Sequence, residues 1–419
     1  MSTKIKLNII LLIIISILFT SCKENLLVKD KPNVILIMAD DIGFEALSVN
    51  GSLSYSTPFL DTLASNGINF TKALSQPLCT PSRVKLMTGK YNYRNYEHFT
   101  YLNSNQKTFG NLFKENGYKT AVVGKWQLNG LQIDEVEKKI ALDNERPYKF
   151  GFDEYSLWQL TKLRAEGERF ANPLIEQNGK VLERDINAYG PDIVSDYAVN
   201  FIRENKDQPF FMMCHHKAPH RSWEYHPKYE DLYTNEIPYP DSFNDDYSNR
   251  AKAAKEARMR VESDMTYQDL DLVQPYYPSE GQRYSLSNRR TPHMMIPFPE
   301  SDDQLKNFHL ICSRTGEIFT FKNREELKKF KYQRYMQKYL RTVASVDESV
   351  GTLLDTLDEE GITEDTMVIY TSDQGFFLGE HGWFDKRFIY EESFRMPFLI
   401  QFPGVVEPGT TVDSMLSNV

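Results

Sequence analysis

The sequence has only four cysteines in 419 residues, too few for its fold to rely on disulfide bonds. It also lacks a long block of lysine and arginine, and its formal net charge at pH 7 is −9. Because nucleic-acid binding needs clustered cations that neutralise phosphates, these two features argue against nucleic acid as a partner. The content of 41% hydrophobic and 13% aromatic residues is instead typical of a globular protein with a large buried core.

The apolar run from Leu7 to Phe19 is too short for a mature membrane-spanning helix. It follows two lysines and precedes a Thr-Ser-Cys sequence that ends at Cys22, which is typical of an export signal. The small residues before this cysteine resemble a bacterial lipobox, in which Cys22 is lipidated; a plain secretory signal is the alternative. We therefore predict a signal peptide at residues 1–21, a linker at 22–32, and an exported protein of the bacterial periplasm or cell surface with a lipid anchor in the membrane.

The three other cysteines are an odd number, so at least one thiol of an exported chain stays unpaired. Cys214 and Cys312 lie in apolar runs and are predicted to be small buried residues. Cys79 differs, because it lies in the segment QPLCTPSRVKLMTG, two residues before a proline and four before Arg83. A lone cysteine is ordinarily a free structural thiol, but this setting makes Cys79 a candidate functional residue.

Short apolar runs alternate with helical patterns along the chain, which predicts an α/β fold with a buried parallel sheet and helices on both faces. The predicted strands are Val34 to Met38, Ala121 to Val123, Phe210 to Cys214, Met367 to Thr371 and Phe398 to Phe402. Helices are predicted to begin near Pro58, Thr108 and Pro191, and a longer one includes Tyr339 to Leu357.

The segment from about residue 225 to residue 330 is polar and shows no clear period. We interpret it as an insertion of loops and short elements within a single domain at residues 33–419. Such insertions usually carry substrate contacts, although this composition does not name the substrate.

Polar residues follow four of the five predicted strands directly. They are Asp40 and Asp41 after the first, Lys125 after the second, His215, His216, Lys217 and His220 after the third, and Asp373 and Gln374 after the fourth. The carboxyl ends of parallel strands share one edge of a sheet, and ligands bind in the crevice there. The sequence therefore predicts that these side chains converge on one site.

Three carboxylates and one side-chain amide form an oxygen-rich set of ligands, which suits Ca²⁺ or Mg²⁺ better than Zn²⁺. A cation flanked by arginine and lysine is a suitable place for an anionic oxyester. Asp40 and Asp41 alone could equally cap a helix. The recurrence of polar residues at Asp373 and Gln374 favours the metal site.

Five motifs together resemble the formylglycine-dependent (type I) sulfatases of the alkaline phosphatase superfamily. They are PNVILIMADDIG, CTPSR followed by LMTG, GKW, HHKAPHR and TSDQGFFLGEHGWFDKR. The resemblance implies an alkaline-phosphatase-like sandwich, with a large, mostly parallel central sheet flanked by helices. It also implies a sulfuric ester hydrolase.

In this family the cysteine of C-x-P-x-R is oxidised to formylglycine by a sulfatase-maturing enzyme, so the resemblance implies that Cys79 becomes 3-oxoalanine. The aldehyde hydrates to a diol. One hydroxyl attacks sulfur and expels the alcohol, and the second hydroxyl then expels sulfate and restores the aldehyde.

The resemblance also implies a role for each site residue. Asp40, Asp41, Asp373, Gln374 and the formylglycine at position 79 would bind Ca²⁺, with Mg²⁺ as the alternative. Asp373 would also take the diol proton, Arg83 would hold the formylglycine hydroxyl, Lys125 and Lys386 would offset charge on sulfate, and His220 would protonate the leaving alcohol.

Two departures from the family pattern stand out. Gln127 occupies the position where GKW is usually followed by a histidine that removes the second diol proton, and an amide cannot do this. A water molecule or another side chain, with His98, His215 and His216 as the histidine candidates, would then take over. The family also usually continues into a C-terminal subdomain, which we expect to be truncated here.

These observations favour an exported sulfatase that acts on a sulfated polysaccharide or oligosaccharide. The alternatives are a sulfated-glycan-binding homologue without turnover, or a phosphatase or phosphodiesterase of the same superfamily, which would need a serine or threonine nucleophile and histidine-rich Zn²⁺ ligands. Trp223, His381 and Trp383 could line a sugar subsite, but packing explains them equally well.

Overall fold

The computed structural model describes residues 30–52, 54–130, 146–158, 170–183, 185, 187–273 and 298–419. The predicted signal peptide, Cys22 and most of the linker lie outside these ranges. Within them, no helix combines the length and the apolar character that a bilayer span requires.

A ten-stranded sheet forms the centre of the described part of the molecule. Its strands, in chain order, are β1 (Asn33–Ala39), β2 (Ile68–Phe70), β4 (Lys119–Lys125), β5 (Glu154–Trp158), β6 (Ile175–Gln177), β7 (Lys180–Val181), β8 (Phe210–His215), β12 (Thr366–Ser372), β16 (Phe398–Gln401) and β17 (Thr410–Val412). Short strands outside it are β3 (Ala73–Leu74), β9 (Leu272–Val273), β10 (His309–Cys312), β11 (Ile318–Thr320), β13 (Phe377–Leu378), β14 (Phe384–Asp385), β15 (Arg395–Met396) and β18 (Leu416–Ser417).

The five neighbouring strands β12, β1, β8, β4 and β5 run parallel, which confirms the predicted fold class. The prediction was wrong in direction for β16, which pairs antiparallel with β12. The chain returns from β12 through loops and short elements instead of a crossover helix, so it enters β16 from the opposite end. Antiparallel pairing also extends the other edge, through β6 and β7.

Helices cover both faces of the sheet. They are α1 (Pro58–Ser65), α2 (Cys79–Thr88), α3 (Phe109–Glu115), α4 (Arg146–Lys149), α5 (Gly190–Asn205), α6 (Lys252–Glu256), α7 (Arg324–Glu359) and α8 (Glu391–Phe394). Their starts follow the sequence signals: a proline opens α1, and Thr108 and Asn111 form a capping box at α3.

The core consists of two layers, one on each face of the sheet. In β1, Ile35 and Ile37 face the layer under α1, α5 and α7, whereas Val34 and Leu36 face the layer under α2 and α3. Every residue of β1 is buried, because the strand has helices on both sides and its apolar sequence does not alternate with polar residues.

The described residues of the predicted insertion form loops and short elements up to helix α7. Helix α7 already begins at Arg324, where Asn323 accepts a hydrogen bond from the backbone N–H of Glu326 at 2.9 Å. Residues 274–297 of the insertion lie outside the described residues. Cys214 and Cys312 are buried and unpaired, as predicted.

Candidate active site

The acidic residues of the site meet because β1 and β12 are neighbours. Ala39 at the end of β1 lies opposite Ser372 at the end of β12, so the acidic residues that follow each strand enter the same crevice. The backbone N–H of Asp41 donates to Asp373 Oδ1 at 3.2 Å. The side chains of Asp40, Asp41 and Asp373 are all buried.

Cys79 is the first residue of helix α2 and is 2% exposed. Its Sγ and one carboxylate oxygen each of Asp40 and Asp373 lie within 4.8 Å of one another. Arg83 follows one turn later on α2, and its Nε donates to Asp373 Oδ2 at 3.0 Å. The positive end of the helix dipole adds to this arginine, so the position of Cys79 favours an anionic group.

Three lysines contact the acidic cluster. Lys125, at the end of β4, places Nζ 2.6 Å from Asp40 Oδ1 and 3.6 Å from Asp373 Oδ2. Lys386, directly after β14, forms an ion pair with Asp41, and Lys217 places Nζ 2.7 Å from Asp40 Oδ2. Each of these lysines follows a strand, so the strand ends supply the cations as well as the acids.

Glycine at position 124 allows Lys125 to reach this place. A Cβ on Gly124 would lie 1.8 Å from the backbone oxygen of His215 on the neighbouring strand β8. Gly124 also has φ of 93°, in the left-handed region that favours glycine. The close contact with β8 and the positive φ therefore explain why a glycine precedes the lysine in the GKW motif.

The charges of the site shift one another's pKa values. Burial alone would raise the pKa of Asp40, but Lys125 and Lys217 hold it well below its ordinary value. Burial raises the pKa of Asp41 to about 6, because the like charges of Asp40 and Asp373 oppose the effect of Lys386. Lys386 stays charged: burial would lower its pKa, but Asp41 raises it above the ordinary value.

The carboxylate and amide oxygens that have no hydrogen-bond partner within the site are suited to bind a divalent cation. Asp41 Oδ2 and Gln374 Oε1 are buried and have no hydrogen-bond partner among the described residues. The amide nitrogen of Gln374 donates to Asp41, so its carbonyl oxygen is the atom that could bind a cation. Two groups have ligand atoms close enough to share one ion: Asp40, Cys79 and Asp373, and Asp40, Asp41 and His220. This mainly oxygen donor set suits a hard cation such as Ca²⁺.

His220 lies at the edge of the cluster, and its side chain is 22% exposed. Its Nδ1 lies 2.8 Å from the backbone oxygen of Arg221, and because a carbonyl only accepts, Nδ1 carries the proton. Its Nε2, 3.8 Å from Asp41 Oδ2, then has the lone pair in the neutral ring. The ring is oriented to exchange a proton with a group in the site.

The three histidines considered as substitutes at Gln127 lie in different environments. His98 is exposed, and His216 Nε2 lies 3.1 Å from the hydroxyl of Ser349 on α7. His215 Nδ1 lies 3.3 Å from Arg83 Nη1. Burial lowers the pKa of His216 to about 4, and that of His215 falls well below its ordinary value, so both rings are neutral. Gln127 itself has a left-handed backbone with φ of 59° and a buried Oε1.

Sequence reasoning gave no role in the site to two contributors. Lys217 was recognised only as a residue after a strand, although that position was the signal for its contact with Asp40. Tyr339 gave no signal, because it lies in the middle of α7. Its hydroxyl donates to the backbone oxygen of Asp41 at 2.9 Å and accepts from the N–H of Gly43 at 3.3 Å, which holds the loop after β1.

The aromatic candidates for a sugar subsite have packing roles. Trp223 and Trp383 are both 0% exposed and so present no face to a sugar ring. His381 is also buried, with Nδ1 2.8 Å from Asp245 Oδ2.

Comparisons with known proteins point to one family. A family model described as Sulfatase matches residues 32–419. An N-acetylglucosamine-6-O-sulfatase of Bacteroides thetaiotaomicron is 35% identical over 398 residues, which are 93% of this chain and 66% of that protein. An ulvan-active sulfatase of Formosa agariphila is 26% identical over 426 residues, which are 97% of this chain and 64% of that protein. The chain thus spans slightly less than two thirds of the length of both relatives.

Solved structures share the fold. The structure of BT4656 in complex with its substrate D-glucosamine-2-N,6-O-disulfate matches with a TM-score of 0.72 and 34% identity, over 93% of this chain and 74% of that one. The structure of Ps i-CgsB in complex with k-i-k-neocarrahexaose matches with a TM-score of 0.59 and 21% identity, over 93% of this chain and 70% of that one. The second match is a similarity of fold alone.

Proposed function

Because the chain belongs to the sulfatase family, we propose that it hydrolyses sulfate esters, and that its substrate is a sulfated amino sugar of the glycosaminoglycan type. The family match over residues 32–419 supports the reaction class. The substrate class is supported by the 35% identical N-acetylglucosamine-6-O-sulfatase and by the 34% identical protein whose substrate is a disulfated glucosamine.

The observation that carries the proposal is the position of Cys79. It begins helix α2 between Asp40 and Asp373, with its Sγ and their oxygens within 4.8 Å of one another. Two buried carboxylates and Arg83 beside a thiol would serve no purpose in packing. They suit a residue that becomes a nucleophile in an anion-binding site.

We propose that Cys79 is oxidised to formylglycine by a sulfatase-maturing enzyme, which is therefore a partner of this chain. The hydrated aldehyde would supply a nucleophilic hydroxyl and a second hydroxyl that allows sulfate to leave. Arg83, one turn after Cys79 on α2, would hold this group. Asp373 would accept the hydroxyl proton, because its side chain lies beside both Cys79 and Arg83.

We propose that Ca²⁺, or Mg²⁺ in its place, binds to Asp40, Asp41, Asp373, Gln374 and the modified residue 79. The unpartnered oxygens Asp41 Oδ2 and Gln374 Oε1 support this set. A bound divalent cation would lower the cost of ionising the nucleophile and polarise a sulfate oxygen.

The remaining side chains would act on the sulfate and on the leaving group. Lys125 and Lys386 are buried and lie against Asp40 and Asp41, so they would offset the negative charge that develops on sulfate oxygens. His220 would donate a proton to the leaving alcohol once its Nε2 is protonated, because this nitrogen is the ring atom that faces the acidic cluster.

The direct test measures sulfate release from D-glucosamine-2-N,6-O-disulfate and from N-acetylglucosamine 6-sulfate. The protein would be produced together with a sulfatase-maturing enzyme, and the mass of the peptide that contains residue 79 would be measured in the same sample. We expect formylglycine at position 79, sulfate release, and none from the Cys79→Ala variant. Fully modified protein that releases no sulfate from any sulfated sugar would contradict the proposed reaction.

A second candidate function is binding of sulfated glycans without turnover, and Gln127 is the observation that favours it. The amide cannot accept the second proton, and its Oε1 has no hydrogen-bond partner among the described residues. Isothermal titration with the same sugars distinguishes the two functions, since tight binding with no sulfate release identifies a binding protein. The Gln127→His variant would then gain sulfate release.

We also propose that the protein is exported and anchored through a lipid on Cys22. Its N-terminal charges, apolar run and Thr-Ser-Cys sequence support this location. Membrane fractionation of cells that express the wild type and the Cys22→Ala variant tests it. Wild-type protein in the soluble fraction would contradict the anchor.

A further inference from the structure

Three buried nitrogen atoms around one internal cavity have no hydrogen-bond partner among the described residues. They are Arg83 Nη2, Trp126 Nε1 and His215 Nε2. All three residues line a small cavity of about 10 Å³, with apolar walls that include Met38 and Met213. It has room for roughly one water molecule. Buried polar groups almost always have partners, so this grouping needs an explanation.

The contact between Arg83 and His215 determines the protonation of the imidazole ring. Arg83 Nη1 lies 3.3 Å from His215 Nδ1. A guanidinium remains protonated and has only donors, so the two atoms form a hydrogen bond only when Nδ1 is the acceptor. The ring is then neutral and carries its proton on Nε2. Burial, and then the charge of Arg83, hold the pKa of His215 well below its ordinary value, although the backbone oxygen of Lys125 acts in the opposite direction, and this agrees with a neutral ring.

Three acceptors contact the guanidinium of Arg83 at two of its nitrogen atoms. Its Nε donates to Asp373 Oδ2 at 3.0 Å, and its Nη1 also donates to the backbone oxygen of Lys125 at 3.1 Å. His215 is the third acceptor and reaches the guanidinium from strand β8. Together these contacts fix the plane of the group one helical turn after Cys79.

We propose that His215 is a positioning residue for Arg83, an inference that rests on the function proposed above. Its Nδ1 accepts a hydrogen bond from Arg83, and its neutral ring keeps a second positive charge away from the pair of Arg83 and Asp373. One water molecule in the cavity would accept hydrogen bonds from two of the three nitrogen groups, because water has two lone pairs. His215 is unsuited to replace the histidine missing at Gln127, since Nδ1 already accepts and Nε2–H faces the cavity.

Two substitutions at His215 separate this role from simple packing. His215→Asn retains an acceptor near the position of Nδ1, whereas His215→Leu removes it. We expect His215→Leu to lower kcat about 10- to 100-fold with KM unchanged, because a buried charged donor loses its acceptor. His215→Asn should restore most of kcat. The control is Cys214→Ala, a change at the preceding buried residue of β8, which should leave kcat unchanged.

Full activity in His215→Leu would overturn the proposal. So would equal losses of kcat in both His215 variants, or the same loss in Cys214→Ala, because the effect would then be one of packing.

A second measurement does not depend on activity. Nitrogen NMR of ¹⁵N-histidine-labelled protein, with His215→Asn for assignment, reports which ring nitrogen is protonated. We expect a neutral ring at pH 7 with the proton on Nε2, and a protonated Nδ1 would overturn the proposal. If the wild type releases no sulfate, the proposed function fails, and the protonation state still decides whether His215 accepts from Arg83.

Discussion

Arg83 Nε lies 3.0 Å from Asp373 Oδ2, and the two side chains are 2% and 0% exposed. This ion pair connects helix α2, which begins at Cys79, to the end of β12, although the two residues are 290 positions apart. Each buried charge depends on the other, because removal of one leaves its partner without a counter-charge. The helix that carries the candidate nucleophile is thus attached directly to the acidic cluster.

The first prediction concerns this ion pair. Arg83→Lys keeps the charge but loses the planar group that reaches Asp373, Lys125 and His215 together. We expect a decrease in kcat/KM of about 100-fold or more, measured by sulfate release, since several charge-assisted hydrogen bonds are lost. Arg341→Lys is the control, because Arg341 is a buried arginine of α7 outside the site. A comparable loss of activity in the control would contradict a specific role for Arg83.

The second prediction concerns removal of the cation. Asp40, Asp41 and Asp373 repel one another, so a divalent cation should stabilise the fold as well as the reaction. Chelation should lower the melting temperature measured by differential scanning fluorimetry, and added Ca²⁺ should restore it. In Asp41→Asn the shift between chelated and Ca²⁺-loaded protein should become smaller, because one ligand charge is missing. A shift of the same size in Asp41→Asn and the wild type would show that the ion binds elsewhere.

The third prediction concerns Lys217, whose Nζ lies 2.7 Å from Asp40 Oδ2. The lysine competes with a cation for this carboxylate, and its charge repels the ion. Lys217→Met should therefore bind Ca²⁺ more tightly in isothermal titration, while Lys217→Arg, which keeps the charge, should bind it like the wild type. Weaker Ca²⁺ binding in Lys217→Met would show that the lysine orients Asp40 for the ion instead.

The fourth prediction concerns the pH dependence of stability. Burial lowers the pKa of His216 to about 4, below the value of about 6.5 expected in the unfolded chain. Between these values the unfolded chain binds a proton that the folded protein does not, so His216 makes the protein less stable as pH falls from about 6.5 to about 4. The free energy of unfolding should lose about 2 kcal/mol from this residue between about pH 7 and pH 5.

Urea unfolding at both pH values measures this loss. His216→Gln cannot titrate, so its free energy of unfolding should fall less over the same interval, whatever its stability at pH 7. Equal pH dependence in the variant and the wild type would place the titration in another group.

Much of the sheet could be predicted because each central strand is a continuous apolar run. The five predicted strands all exist, and four of them lead into site residues. The direction of β16 could not be predicted, because it depends on the path of the chain from β12, and loops give no periodic signal. The start of α7 gives little sequence signal, because its first turns are charged and carry few apolar residues.

The sequence by itself determined which residues can take part in the chemistry, because motifs such as CTPSR and GKW are local and their acids and lysines follow strands. Only the tertiary structure decided how they pair. Strand β12 pairs with β1, although the acidic residues that follow the two strands are more than 300 positions apart in the sequence. This pairing places Asp373 against Asp41. The contacts of Lys217 with Asp40 and of His215 with Arg83 likewise depend on the order of the strands in the sheet. The burial of Trp223 depends on tertiary packing. A sequence pattern therefore does not reveal these contacts or this burial.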